Sequence, residues 1–426
     1  MSLVYVQNQN GKPLMPTRDN RLVRILLSKK KAKVVRMSPF TIRLKIRTKE
    51  YRQKIVLGID AGSKYIGVSA STETEELFCA EMQPRNDVVD LLSTRRELRR
   101  SRRGRKKRYR APRFNNRTHS KHKGWLAPSI EVKIHNHIQV IKMAMSILPI
   151  SKVIVETAEF DIHRLKAMLE GKPLPVGTDY QKGEMYDHYN VRQYVLWRDG
   201  YTCQCCGAHS TPKKQMKLET HHKESRKTGG DAPNNLITLC VACHDAITDG
   251  KMELPKKLRK RGSSLRDAAF MGIMRKTLLE RLRKEFPAVQ IEETYGYITK
   301  CVREQNGIPK SHTSDAKCIA GVPLAVPVSE VYLVKPVRRH NRQLHKQNPS
   351  KGGVRKANQC PKYVKGFMLY DLVRMPSGEL GYIFGRRSSG SFAVRTLSGR
   401  KISDGISCKK LQLIEHPRSL LIEKIS

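Results

Sequence analysis

Acidic residues are scarce in this chain. There are 38 Asp and Glu against 83 Lys and Arg in 426 residues, a formal net charge of +45. Such an excess repels itself unless a polyanion neutralises it, so the first expected partner is nucleic acid. Long apolar runs are also missing. No stretch approaches the roughly 18 residues of a membrane span, and the start carries no secretory signal, so a cytoplasmic protein without membrane attachment is expected. At 38 %, hydrophobic content is low for one large core, which predicts several small ones. A disulfide framework is lacking too: Cys79, Cys301, Cys318, Cys360 and Cys408 are scattered, as in a reducing compartment.

The remaining cysteines are clustered. Cys203-Gln-Cys-Cys206 and Cys240-Val-Ala-Cys243 form two Cys-x-x-Cys knuckles, and four thiolates from Cys203, Cys206, Cys240 and Cys243 suit a closed structural Zn²⁺ site. Spacing alone leaves open whether Cys205 or Cys206 is the ligand. Between and just after the knuckles lie His221-His222, Asn235 and His244, an order that fits the ββα-metal nuclease pattern known as HNH. In that pattern His221 and His244 hold one Mg²⁺, His222 on the opposite face of the strand is the general base, and Asn235 fixes the loop. The competing reading is a zinc ribbon that only binds. A helix over 189–198 leads into the first knuckle, with Trp197 expected in its local core.

A second centre is spread along the chain. The apolar run Ile55 to Ile59 ends in Asp60, followed by Gly62 and Gly67, which allow a tight hairpin. Strand, Asp and spaced glycines open RNase H-like nucleases, and ATPases of the actin and sugar-kinase type as well. An amphipathic helix over 129–148 leads to a second apolar strand ending in Glu156, and helices over 264–285 and around His312-Thr-Ser-Asp315 follow. Asp60, Glu156 and Asp315 would hold two Mg²⁺ ions for attack on a phosphodiester, with His312 orienting or activating water.

Between Arg95 and Arg117, 13 of 23 residues are Lys or Arg and only Glu97 is acidic. Here a nucleic-acid-binding helix is expected, its contacts made by Arg95, Arg96, Arg99, Arg100, Arg102, Arg103, Arg105, Arg108, Arg113 and Arg117. No acid occurs between Glu330 and Asp371, and residues 368–413 alternate short strands and turns as in a small β-barrel-like module.

Taken with Lys12-Pro-Leu-Met-Pro16, Gly58-Ile-Asp60-Ala-Gly and Arg113-Phe-Asn-Asn-Arg117, these segments make the chain resemble the IscB family of transposon-associated RNA-guided DNA endonucleases. The resemblance implies an α/β fold: a split RNase H-like (RuvC) domain at 53–92, 119–160 and 256–325 with an inserted HNH domain at 161–255. It further implies an Arg-rich bridge helix at 93–118, an N-terminal α+β module at 1–52 and a C-terminal β-rich module at 326–426 that reads a short flanking motif. A structured guide RNA would be a permanent partner of a single protein chain, and double-stranded DNA the target. HNH would cut the guide-paired strand and RuvC the displaced one. His221 and His244 depart from the Asp and Asn usual at these positions in the large CRISPR relative. A guide-free nuclease of the junction-resolvase or homing type, and a binding protein with vestigial centres, are the alternatives.

Overall fold

In the computed structural model, residues 2–95, 124–157, 188–211, 215–225, 230–259, 266–337 and 361–425 are described, with isolated positions between 158 and 187. The chain divides into two compact units, one of residues 1–160 and 274–426, the other of 161–273.

The first unit begins with β1 (Tyr5–Gln7), α1 (Asn20–Ser28), β2 (Ala32–Arg36) and β3 (Thr41–Leu44), whose sheet order is β1-β3-β2. Asp19 caps α1 by accepting a hydrogen bond from the Leu22 amide at 2.8 Å, satisfying one of the helix's free N–H groups. Val4, Val6, Val23, Ile42 and Leu44 form the module's core. Tyr5 reaches out of it: its hydroxyl donates to the Leu77 carbonyl at 2.8 Å, tying the module to the large sheet.

That sheet has seven strands. β4 (Val56–Ala61), β5 (Ile66–Ser71) and β6 (Glu76–Met82) form an antiparallel meander. β7 (Lys152–Thr157) and β10 (Gln290–Tyr295) are then added parallel to β4. The strand order is β10-β7-β4-β5-β6-β11-β17, with β11 at Val331–Pro336 and β17 at Leu420–Lys424. All six β5 residues are buried, the small Gly67 and the hydroxyls of Ser69 and Ser71 included, and Ser69 meets its burial by donating to Glu76 at 2.5 Å. The result is the expected mixed α/β, RNase H-like architecture, but the sheet extends beyond the three segments inferred from sequence. Val331, Leu333 and the chain's last strand complete it, although they fall in the stretch read as the C-terminal module.

Helix α2 (Pro128–Ile147) buries Ile134, Ile138 and Ile141, a stripe at helical spacing, and also Val140, Ala144 and Ile147 on the neighbouring side. Its Glu131 receives both Arg281 nitrogens, at 2.7 and 2.8 Å, from α5 (Arg266–Glu285). Two helices complete the site-bearing edge, α6 (Gly296–Gln305) and α7 (His312–Ile319). The C-terminal strands β12 (Leu372–Arg374), β13 (Leu380–Arg386), β14 (Ser391–Arg395), β15 (Lys401–Ser407) and β16 (Gln412–Glu415) form an antiparallel sheet in the order β15-β14-β13-β12-β16 over Val373, Ile383, Phe392 and Val394.

The second unit contains α3 (Val191–Arg198), the hairpin of β8 (Leu218–His222) and β9 (Leu236–Cys240), and α4 (Val241–Thr248), a ββα arrangement. Leu196, Leu218, Ile237 and Leu239 pack with Cys203, Cys240 and Cys243 into its core. Trp197 departs from expectation at 53 % exposed. Helical geometry turns Tyr194, Val195 and Leu196 inward instead, leaving Trp197 on the rim against His188, ring centroids 4.9 Å apart. Among the described residues, no helix is long and apolar enough to cross a membrane.

Candidate active sites

Asp60, Glu156, His312 and Asp315 lie at one edge of the seven-stranded sheet. Parallel pairing matches Ile59 with Val155, so the next residues, Asp60 and Glu156, emerge side by side where β4 and β7 end. Helix α7 brings the other two. It can do so because β4 and β5 present glycines to it: a Cβ on Gly58 would stand 2.0 Å from the Ala316 carbonyl oxygen, and one on Gly67 1.8 Å from that of His312. Gly62 has the turn role expected of it, since a Cβ there would meet the Tyr65 carbonyl oxygen at 2.2 Å. Ser311 caps α7 through the Ser314 amide and fixes where His312 enters the helix.

Within this cluster Asp60 Oδ2 and His312 Nδ1 are 2.6 Å apart. A carboxylate only accepts, so a proton sits on Nδ1, and in the neutral form of the ring Nε2 is the acceptor. The same hydrogen bond raises the His312 pKa, and Tyr65 stacks on the ring with centroids 5.3 Å apart. Burial first, then the negative charges of Asp60 and Asp315, raises the pKa of Glu156; burial and Asp60 do the same to Asp315. Carboxylates that press on one another in this way fit a divalent cation, whose charge would relieve the repulsion. Arg303 Nε stands 2.9 Å from Asp315 Oδ1 as an ion pair without hydrogen-bond alignment.

In the second unit the four thiols of Cys203, Cys206, Cys240 and Cys243 have sulfur atoms all within 4.8 Å of one another. Cys206, not Cys205, joins the group, with its Sγ 3.8 Å from that of Cys240. Four convergent sulfurs, with no further donor grouped with them among the described residues, fit a structural Zn²⁺. Among the described residues this is the group of three or more ligand-type side chains found at such mutual distances.

His221 on β8 and His244 on α4 meet with ring centroids 5.4 Å apart. Burial, followed by the nearby His244 and His222, lowers the His221 pKa and favours the neutral ring that a metal requires. His222, the last residue of β8, projects to the opposite strand face. Its Nε2 is 3.0 Å from Asp231 Oδ1, which fixes the proton there and leaves Nδ1 as the basic atom. Asn235 is fully buried. Its Oδ1 accepts from the Glu224 amide at 2.9 Å, and its Nδ2 donates to the carbonyls of Glu224 and Gly230 at 3.1 and 2.9 Å, closing the loop between His222 and β9.

Residues 203–250, which span this hairpin, helix and knuckles, match the family model for HNH endonucleases, and residues 4–183 match the model described as RRXRR protein. The chain carries an HNH endonuclease domain. No curated protein matches the sequence. Solved structures with local similarity include the Streptococcus thermophilus Cas9 complex with an AGGA PAM, at 14 % identity and a TM-score of 0.30, covering 46 % of this chain and 26 % of that one. The same enzyme with a GGAA PAM gives 12 % identity, a TM-score of 0.32, and 55 % and 30 % coverage. The type II-C Cas9 of Actinomyces naeslundii gives 14 %, 0.17, 48 % and 33 %. This chain therefore spans a third or less of the length of these proteins, and likenesses of this size carry no argument about its activity.

Four contributors to the two centres were not anticipated from sequence. Glu219 lies two residues before His221 on the same face of β8, with Oε2 3.3 Å from His244 Nδ1 in the HNH domain. Asp231 orients His222, while Arg303 and Tyr65 flank the acidic cluster. The i−2 position of Glu219 was a readable signal, but the other three depend on folding. Arg95 is exposed, and Arg96, Arg99, Arg100, Arg102, Arg103, Arg105, Arg108, Arg113 and Arg117 lie outside the described residues.

Proposed function

We propose that the protein is an IscB-like RNA-guided DNA endonuclease with two hydrolytic centres, the HNH domain cutting the guide-paired strand and the RuvC-like sheet edge cutting the displaced strand. The observation that carries this reading is the meeting of Asp60, Glu156, His312 and Asp315, drawn from three separated elements, in a chain that also carries an HNH domain. In the HNH domain, His222 Nδ1 takes the proton of the attacking water while Asp231 holds the ring, and His221 and His244, with Glu219 beside them, would hold Mg²⁺. At the sheet edge the three carboxylates would hold two Mg²⁺ ions, and His312 Nε2 orients the water. The bound cations would polarise the scissile phosphate and stabilise the developing charge on the leaving oxygen. Zn²⁺ on the four cysteines would act as a staple only.

Guide RNA enters through charge. A net +45 far exceeds what a short DNA site neutralises, and 13 of the 23 residues from Arg95 to Arg117 are Lys or Arg. The test is purification from a host expressing the chain with its flanking locus. A defined structured RNA should copurify, and removing it should abolish sequence-directed cleavage. Undiminished cutting by RNA-free protein would instead establish a guide-free nuclease.

A further inference from the structure

A cleft of about 380 Å³ opens within the first unit, between β2, α2 and the C-terminal sheet, away from the acidic cluster. Its polar wall is cationic: Arg36, Lys142 and Arg418 line it, with His135 and His416. The one carboxylate in the lining, Glu415, is already occupied. Its Oε1 accepts from Arg418 Nε at 2.8 Å and its Oε2 from the Met37 amide at 3.0 Å. Lys142 pairs with Glu285 at 2.8 Å, but both side chains are nearly half exposed, so that pair is readily exchanged. Arg36 is the anomaly. Its Nη1 is buried and has no hydrogen-bond partner, although an unpaired buried donor on a charged group is costly. Burial, reinforced by Arg418 and partly offset by Glu415, lowers its pKa to about 10. The lining also includes the apolar or aromatic side chains of Tyr370, Leu372, Met143 and Leu420.

A guanidinium with one buried nitrogen left unmatched, two further cations that share only Glu415 and the exposed Glu285, and apolar side chains in the same lining describe a receptor for an anion attached to a flat or apolar body. In a chain of this charge the abundant ligand of that kind is nucleic acid. We propose that the cleft seats one backbone phosphate of bound nucleic acid on Arg36, Lys142 and Arg418, with the adjoining nucleoside against Tyr370 and Leu372. The volume is at the small end of ligand pockets, enough for a nucleotide and too small for a duplex. The inference rests on the reading of the protein as a nucleic-acid-binding enzyme.

The test measures binding of a fluorescent single-stranded RNA by the full chain over a range of salt concentrations, for wild type, Arg36→Met and Lys142→Met. Each substitution should weaken binding about tenfold and reduce the slope of log affinity against log salt by roughly 0.7, one phosphate contact on a single strand. Arg36→Met should melt no lower than wild type, because it removes an uncompensated buried charge. Wild-type affinity and slope in both folded variants would overturn the proposal, as would a lowered melting temperature of Arg36→Met with unchanged binding, which would make Arg36 structural. Should Arg36→Met fail to fold, Lys142→Met decides alone, since its side chain is half exposed. A rise in melting temperature with inorganic phosphate over chloride at matched ionic strength, together with RNA binding indifferent to both substitutions, would mark a free-anion site and also overturn it. If wild type bound no nucleic acid, the wider functional reading would fail instead.

Discussion

Gly67→Ala should separate the two cutting activities without touching a catalytic side chain. Gly67 pairs with Asp60 across β4 and β5, and a methyl group placed on it would lie 1.8 Å from the His312 carbonyl oxygen. Real Cβ contacts essentially never fall below 3.0 Å, so α7 must retreat by at least about 1.2 Å. Overpacking of this kind costs about 1–3 kcal/mol, which the large sheet can absorb with a fall of a few degrees in melting temperature. Catalysis is less forgiving, because the displaced helix carries both His312 and Asp315. Misplacement by about 1 Å costs on the order of 100-fold in rate. The assay is cleavage of a supercoiled plasmid by the RNA-loaded protein. Wild type should give linear product, and Gly67→Ala mainly nicked circles, with the remaining cut in the guide-paired strand. Wild-type linearisation by a folded Gly67→Ala protein would refute the claim that close approach of α7 to β5 builds this centre.

Cys206→Ser should lose bound zinc and lower the melting transition of the second unit, whereas Cys205→Ser should keep both; equal zinc content in the two variants, by metal analysis, would contradict the assignment. Asn235→Ala removes three hydrogen bonds from a fully buried position and should destabilise the HNH domain by roughly 3 kcal/mol in urea unfolding while sparing the cut of the displaced strand. Acid should weaken the first unit through His137, which burial holds near pKa 4 in the fold against an ordinary 6.5. The folded state refuses a proton that the unfolded chain accepts, so stability is full above about pH 6.5. It then falls towards pH 4 at up to about 1.4 kcal/mol per pH unit. Urea midpoints at pH 7 and pH 5 should converge in His137→Gln, and a decline parallel to wild type would exclude His137 as the source.

Local patterns made much of this architecture legible. The buried run ending in Asp60, the isoleucine stripe of α2, the His-x-x-Asp helix and the paired knuckles each announce themselves within a few residues. Gly67 was legible as a glycine but not as to its purpose. It reads as part of a hairpin turn, whereas it lies inside β5 and clears space for a helix about 245 residues later in the chain. Strands β11 and β17 carry no local mark of belonging to the large sheet, because their pairing joins Tyr332 to Lys424 across an intervening module. Arg303 and Asp231 look in sequence like ordinary surface charges. Only the fold sets one beside Asp315 and the other against His222, and Trp197 shows the converse error, since an aromatic residue's size invites burial that helix phase denies it.

The central claim is that two independent centres each open one strand. It is tested most directly by cleaving a guide-matched duplex, labelled differently on its two strands, with RNA-loaded Asp60→Ala and His222→Ala proteins. Asp60→Ala should cut only the guide-paired strand and His222→Ala only the displaced one. Loss of both cuts in either variant, with duplex binding intact, would contradict the account.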